Sequence, residues 1–325
     1  MQGPNGPSIT YNRGIIVKDG EACVVLDPSK KTESSVVSHA HMDPLVKGSL
    51  MTPQTRDIML ARTGREDFRS EVLPFGQKAT VGGFELELSE AGHVLGSAMV
   101  QAGEILYTGD FDTCTGITCG EARPRKCDTL VVEATYGDPR FVLPDQGTVV
   151  SDLLSWMEDC LERGPIILGS YEFGKAQDLV ALANSIHAPV VVPDQIASIC
   201  DVYRKHGVPL EFSPRSTAGR DLLRSPHVLV TARRELRHPV PQHIREYRNR
   251  GATAALLSGW TAFMDFGNSH DIDAQFPFSN HADFGRILDF IKACDPKKVY
   301  TVHGSCESLA RETRQRLGID AEPLE

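Results

Sequence analysis

The spacing of apolar positions changes along this chain, and the change divides it. Over the first third they come in short runs that read as strands. YNRGIIV and EACVVL flank Lys18-Asp19-Gly20, a hairpin signal, and further runs lie at 36–38, 84–88, 98–101, 105–108 and 129–132. From 149 to 163 the apolar residues Val150, Leu153, Leu154, Met157, Cys160 and Leu161 fall at helical spacing. The strand GPIIL, a helix over 174–186, the strand PVVV and a helix over 196–205 then alternate, and HVLVT and AALLS extend the pattern. Such alternation predicts a parallel sheet covered by helices. A helix over 283–294, a strand over 298–302 and a helix over 306–317 close the chain. The expected plan is α/β: a β-rich domain built from 1–136 and 260–325, interrupted by an α/β insertion over 137–259.

Composition narrows this only a little. With 325 residues, 41% hydrophobic and 24% charged, the chain has material for one large or two ordinary soluble domains. The apolar runs 190–192 and 254–257 are far too short to cross a bilayer. MQGPNGPSIT has neither a basic start nor an apolar core, so no signal peptide and a cytoplasmic location are expected. The 8 cysteines are scattered; Cys114, Cys119 and Cys127 crowd together but form no CxxC pair, and are read as buried or loop thiols. A net charge of −9 argues against nucleic-acid binding by bulk electrostatics, while permitting an enzyme that grips a strand locally.

The chemistry sits at the ends of strands. In SHAHMDP, His39 and His41 alternate after an apolar strand, so an extended backbone aims both to one side, and Asp43 continues the alternation. AGHVLGSA sets His93 among glycines and small residues, LYTGDFD ends a strand at Asp110, and YTVHGS ends another at His303. Imidazoles and carboxylates at successive strand mouths converge when the strands share a sheet, and this donor set suits a metal.

These stretches resemble the β-CASP nuclease group of the metallo-β-lactamase fold. SHAHMD resembles its HxHxDH signature, AGHVLGS its isolated histidine and YTGDFD its bridging aspartate. VVEATYG, PFSNHADF and YTVHGS resemble the group's three additional motifs, at Glu133, His281 and His303, and GSYEFGKAQDL resembles a recurrent stretch of its insertion. Within the group, CDTLVVEATYG, SGWTAF and NHADFGRIL are similar to archaeal mRNA 3′-end processing factors and to bacterial ligase-associated DNA exonucleases.

The resemblance implies an αββα sandwich with an inserted α/β domain. It implies one zinc ion held by His39, His41, His93 and Asp110, and a second site of Asp43, Asp110 and His303. The family's next ligand position is Pro44 here, which has no side-chain donor. That second site is therefore weakened and better suited to manganese or magnesium. The activity implied is phosphodiester hydrolysis at a metal, with Asp43 orienting the attacking water, His281 protonating the leaving oxygen and Glu133 holding its imidazole. Lys175 and Ser170 would meet backbone phosphate, and Trp260 would stack on a base or fill a junction, while Tyr171 and Phe173 read as packing residues. Single-stranded RNA is the first expected substrate and repair-type DNA cleavage the second; a weakened, nucleic-acid-binding paralogue is a third reading, raised by Pro44. The expected partners are the strand itself and a homodimer or a processing or repair complex, with no membrane.

Overall fold

A computed structural model describes residues 7–30, 32–41, 48–64 and 70–324. The chain forms two units, one from the chain up to Val142 together with His281 onward, the other Leu143–Asn280. The second unit therefore contains Trp260, which the sequence pattern had assigned to the return segment.

The first unit opens with strands β1 (Ser8–Tyr11), β2 (Ile15–Asp19), β3 (Ala22–Leu26), β4 (Ser35–Val36) and β5 (Leu50–Met51), helix α1 (Pro53–Thr63) and strand β6 (Glu71–Val72), the strands pairing in that order as one sheet. A second sheet begins with the antiparallel run β7 (Lys78–Val81), β8 (Phe84–Glu90), β9 (Ala98–Ala102) and β10 (Ile105–Tyr107), then continues in parallel to β11 (Thr129–Ala134).

The second unit follows: α2 (Gln146–Leu161), β12 (Ile166–Ser170), α3 (Lys175–Ser185), β13 (Val190–Val192), α4 (Asp194–Lys205), β14 (Ser213–Pro214), α5 (Arg220–Arg224), β15 (Val228–Ala232), α6 (Gln242–Asn249), β16 (Thr253–Leu257) and β17 (Ala274–Phe276). Its sheet is parallel throughout, in the order β14-β13-β15-β12-β16-β17. The chain then returns with α7 (Phe284–Cys294), β18 (Lys298–Gly304), α8 (Cys306–Leu317) and β19 (Asp320–Pro323), and β18 pairs in parallel beside β11.

Side-chain alternation explains the layering of the first unit. Along β9, β10 and β11, Val100, Ile105, Tyr107 and Val131 pack on Val17, Val24, Leu26 and Val36 of the first sheet. The intervening Met99, Leu106, Leu130 and Val132 pack on Ile287 and Ile291 of α7 and Leu309 of α8. From β9 to β11 the second sheet is thus buried on both faces, which is why these strands carry apolar residues at successive positions. Among the described residues no helix is long and apolar enough to cross a membrane.

Candidate metal centre and its partners

Three loops carry the first cluster, and two of them are held by a specific backbone requirement. His39 and His41 follow β4. His93 follows Gly92, whose φ of 73° places a would-be Cβ 2.3 Å from the Asp112 carbonyl oxygen, so only glycine fits there. The same loop is clamped by α1: Thr52, which caps that helix, and Thr55 both donate to the Gly96 carbonyl, at 2.7 and 2.9 Å. Asp110 follows Gly109 at the mouth of β10, where a Cβ on Gly109 would meet the Ser38 hydroxyl at 2.8 Å.

These loops bring His39, His41, His93 and Asp110 together, with one donor atom from each lying within 4.8 Å of all the others. His93 Nε2 lies 3.1 Å from His41 Nδ1, His39 Nε2 3.3 Å from Asp110 Oδ2, and His93 Nε2 3.8 Å from the same oxygen. A tetrahedral zinc ion with bonds of 2.0–2.1 Å separates its ligand atoms by roughly 3.3 Å. Three of the separations among the four donors, 3.1, 3.3 and 3.8 Å, lie close to that spacing, and the chemistry of the set, three imidazoles and a carboxylate, fits such an ion.

The charges agree. Burial disfavours the His39 imidazolium, but the Asp110 carboxylate outweighs burial and leaves the histidine raised above its ordinary value. His93 is held well below the usual histidine range, by burial first and then by His281. Burial works against ionised Asp110, yet His39 and its hydrogen bond draw the carboxyl well below the usual carboxylate range. The cluster is thus arranged around one anionic oxygen, with His39 drawn toward its charged form and His93 held toward its neutral one.

Behind His39 stands a hydrogen-bonded chain that sequence reasoning missed. The Ser38 hydroxyl donates to Asp27 Oδ2 at 2.5 Å, and His39 Nδ1 lies 2.8 Å from that hydroxyl oxygen. With the serine proton committed to Asp27, the oxygen accepts from Nδ1–H, which leaves Nε2 as the nitrogen that would offer its lone pair to a bound ion. Asp27 also accepts from the Ser38 backbone N–H at 2.7 Å and from Tyr107 at 2.8 Å. Burial, then Asp27, pushes the Tyr107 hydroxyl well up, so it remains a donor. The available signal was VVLDPS, an apolar strand ending in a buried acid.

Asp110 also belongs to a second group, with Glu133 and His281. Glu133 is fully buried at the end of β11; its Oε1 accepts from His281 Nδ1 at 2.8 Å and from the Phe111 N–H at 2.9 Å. Its Oε2 accepts from the Thr135 N–H at 3.2 Å. The His281 ring centre lies 4.3 Å from that of His93, so the imidazole is carried beside the first cluster. Arg286, also missed from sequence, donates to Asp112 at 2.6 Å, to Asp283 at 3.3 Å and to the His281 carbonyl at 3.4 Å, which fixes the backbone that presents the histidine.

The other expected residues fall elsewhere. His303, at φ 58° near the end of β18, lies outside both groups with its ring centre 6.5 Å from that of Tyr11. Asp43 and Pro44 lie outside the described residues. Ser170, Lys175 and Trp260 belong to the second unit. Ser170 is fully buried and donates to the Tyr171 carbonyl at 3.0 Å, Lys175 is buried, and Trp260 packs with Phe263 at 6.5 Å between ring centres. Phe173 is buried as expected of a packing residue, but Tyr171 is 42% exposed. The cysteines are free thiols: the Cys127 N–H donates to the Cys294 carbonyl at 3.4 Å, and the Arg286 guanidinium contacts Cys114 Sγ at 2.8 Å.

Residues 273–322 match the family described as the Zn-dependent metallo-hydrolase RNA specificity domain. Over 74% of its length the chain is 24% identical to subunit 3 of the cleavage and polyadenylation specificity factor of Dictyostelium discoideum. The chain belongs to the β-CASP nuclease group of the metallo-β-lactamase fold. A Probable DNA ligase of Opitutus terrae is 29% identical over 91% of this β-CASP chain. The chain spans only 38% of the Dictyostelium protein and 29% of the Opitutus one. A crystal structure of a protein of unknown function from Enterococcus faecalis V583 shares the fold, with a TM-score of 0.64 at 14% identity, covering 98% of this chain and 97% of that one. The αββα sandwich and inserted α/β domain expected from the motifs are those of this β-CASP chain.

Proposed function

We propose that this chain is a metal-dependent nuclease that hydrolyses phosphodiester bonds in single-stranded nucleic acid. The observation that carries this is Asp110, shared between a metal-binding cluster and the Glu133–His281 pair. His39, His41, His93 and Asp110 hold one ion, which we take to be zinc. Asp43, Asp110 and His303 form the weaker second site, for manganese or magnesium. Bound metal supplies the lowered pKa of water and the neutralisation of phosphate charge that this hydrolysis needs. Asp43 orients the attacking water. Glu133 engages Nδ1 of His281, which leaves Nε2 to deliver a proton to the leaving oxygen.

Between the two sugars we favour DNA, because the alignment covering 91% of the chain is with a protein named for DNA ligation. That alignment also makes a strand-repair complex the setting for its partners. RNA is the second reading, supported by the RNA specificity match over 273–322 and by the Dictyostelium relative. The test is cleavage of matched end-labelled single-stranded DNA and RNA with zinc or manganese supplied, beside an Asp110→Asn control. Metal-dependent shortening of DNA that disappears in the control is the expected result. A faster cut of RNA reverses the substrate order. Silence on both strands from folded, metal-loaded protein refutes the nuclease and leaves the weakened paralogue.

A further inference from the structure

The segment that carries His39 and His41 has already left strand β4: the chain bends at His39 and turns over Ala40 and His41. A buried carbonyl in such a turn has no sheet ladder to serve it and must find a donor elsewhere. The Ser38 carbonyl accepts from the Ala98 N–H at 2.8 Å. The Ala40 carbonyl, between the two histidines in a residue only 1% exposed, accepts from the Arg62 guanidinium. A charged donor makes such a bond roughly twice as strong as a neutral one.

Helix α1 delivers that guanidinium. Thr55 and Arg62 stand two helical turns apart, about 10 Å along the axis, and so share one face. Between them the helix buries Ile58 and Met59. The Thr55 end is fixed to the His93 loop: Thr52 and Thr55 both donate to the Gly96 carbonyl, and a Cβ on Gly96 would lie 2.5 Å from Gln54 Cβ and 2.8 Å from the Thr55 nitrogen. Both ends of the helix are sharply defined, by Thr52 accepting from the Thr55 N–H at 3.1 Å and by Gly64 at φ 64°. One rigid element thus holds the His93 loop at its start and the His39–His41 turn at its end.

We propose that Arg62 is a positioning residue of the metal centre. By holding the Ala40 carbonyl it fixes the turn that aims His39 and His41 at a common ion, and α1 sets that turn against the His93 loop. A guanidinium this close to two ligands of a cation also repels the cation. Its charge opposes metal binding while its hydrogen bond favours it, so the two effects predict opposite results when the residue is replaced. The proposal rests on the reading of His39, His41, His93 and Asp110 as zinc donors, and not on nuclease activity.

The test pairs the zinc affinity of the full chain, read by chelator competition, with the visible absorption of the cobalt-loaded protein, which reports ligand geometry. Both are measured well below the unfolding temperature of the metal-free protein, so that a loss of fold stability alone moves neither. Arg62→Met keeps the stem and removes the donor. It should weaken zinc binding by about 10- to 100-fold, the loss typical of an outer partner of a metal ligand, and dim the tetrahedral cobalt bands. Arg62→Lys, which keeps a charged donor, should recover most of the affinity. If Arg62→Met does not fold, Arg62→Gln, which removes the charge and shortens the donor, carries the same test: weaker zinc binding supports the proposal and equal or tighter binding overturns it. The proposal is likewise overturned by a folded Arg62→Met protein that binds zinc as tightly as wild type or more tightly, by an unchanged cobalt spectrum, or by an Arg62→Lys protein as weak as Arg62→Met. Wild type that binds neither zinc nor cobalt removes the metal reading and this proposal together, whereas tight wild-type binding left unaltered by Arg62→Met removes the proposal alone.

Discussion

Replacing Ser38 by alanine tests whether the chain Asp27–Ser38–His39 sets the metal affinity. The substitution removes one oxygen that His39 Nδ1 approaches at 2.8 Å and that donates to Asp27 at 2.5 Å. Asp27 keeps two donors, the Ser38 N–H and Tyr107, so the carboxylate stays satisfied. His39 does not: its Nδ1–H loses its acceptor in a position only 4% exposed. Leaving a buried donor unmet costs about 1–3 kcal/mol. The ring can escape that cost by rotating or by moving its proton to Nε2, and either response takes the lone pair away from the ion. Loss of such an outer partner weakens metal binding by about 10- to 100-fold. At about 1.4 kcal/mol per tenfold, that is the same range as the hydrogen-bond cost, so one cause accounts for both figures. Competition of zinc between the protein and a chromophoric chelator measures the affinity directly, without reference to any substrate. Ser38→Ala should bind zinc at least about tenfold more weakly while staying folded. An affinity within about threefold of wild type would refute the argument, because the tautomer of His39 would then be set by something other than Ser38.

Three further outcomes follow from the same structure. Glu133→Gln should lower kcat by about 10²- to 10⁴-fold at unchanged metal content, because an amide with its oxygen toward His281 puts its NH₂ against the Thr135 N–H; metal analysis and strand cleavage check it. Gly92→Ala should cost at least about 2 kcal/mol and reduce metal content, since its Cβ meets the Asp112 carbonyl; thermal unfolding and metal analysis read the two effects. His227 in the second unit lies 2.8 Å from the Ser225 carbonyl and 2.9 Å from the Tyr247 hydroxyl, and burial lowers its pKa below 6.5. The unfolded chain therefore binds a proton before the native one as pH falls, so stability should be lost from about pH 6.5 downward. His227→Gln should flatten that slope in thermal unfolding between pH 7.5 and 5.

Much of the first unit could be read from the sequence because its signals are local. The helix at 306–317 and the hairpin about Gly20 were set by apolar spacing and turn residues within a few positions. Helix α1 escaped notice although Thr52, Pro53 and Gly64 are textual signs of its ends, because Ile58 and Met59 are its only buried apolar side chains and leave almost no periodic stripe. The residues brought together at the metal cluster were legible for a different reason. A metal limits its donors to a few residue types, and these stood at strand ends.

What supports those donors has no such restriction, and this separates the legible half of the site from the rest. A hydroxyl, a carboxylate or a guanidinium performs its supporting role only through the distance to its partner. Asp27 meets Ser38 across 11 positions, Tyr107 meets Asp27 across 80, and Arg286 meets Asp112 across 174. No spacing rule spans those separations, because it is the sheet order that closes them. Tyr171 shows the same limit from the other side: within GSYEFGKAQDL it looks like Phe173, and one ring is buried while the other is exposed. What distinguishes them is Arg233, delivered 62 residues later by the parallel pairing of β15 with β12. Where chemistry depends on residue type, sequence identifies the residues; where it depends on which strand ends are neighbours, only the fold does.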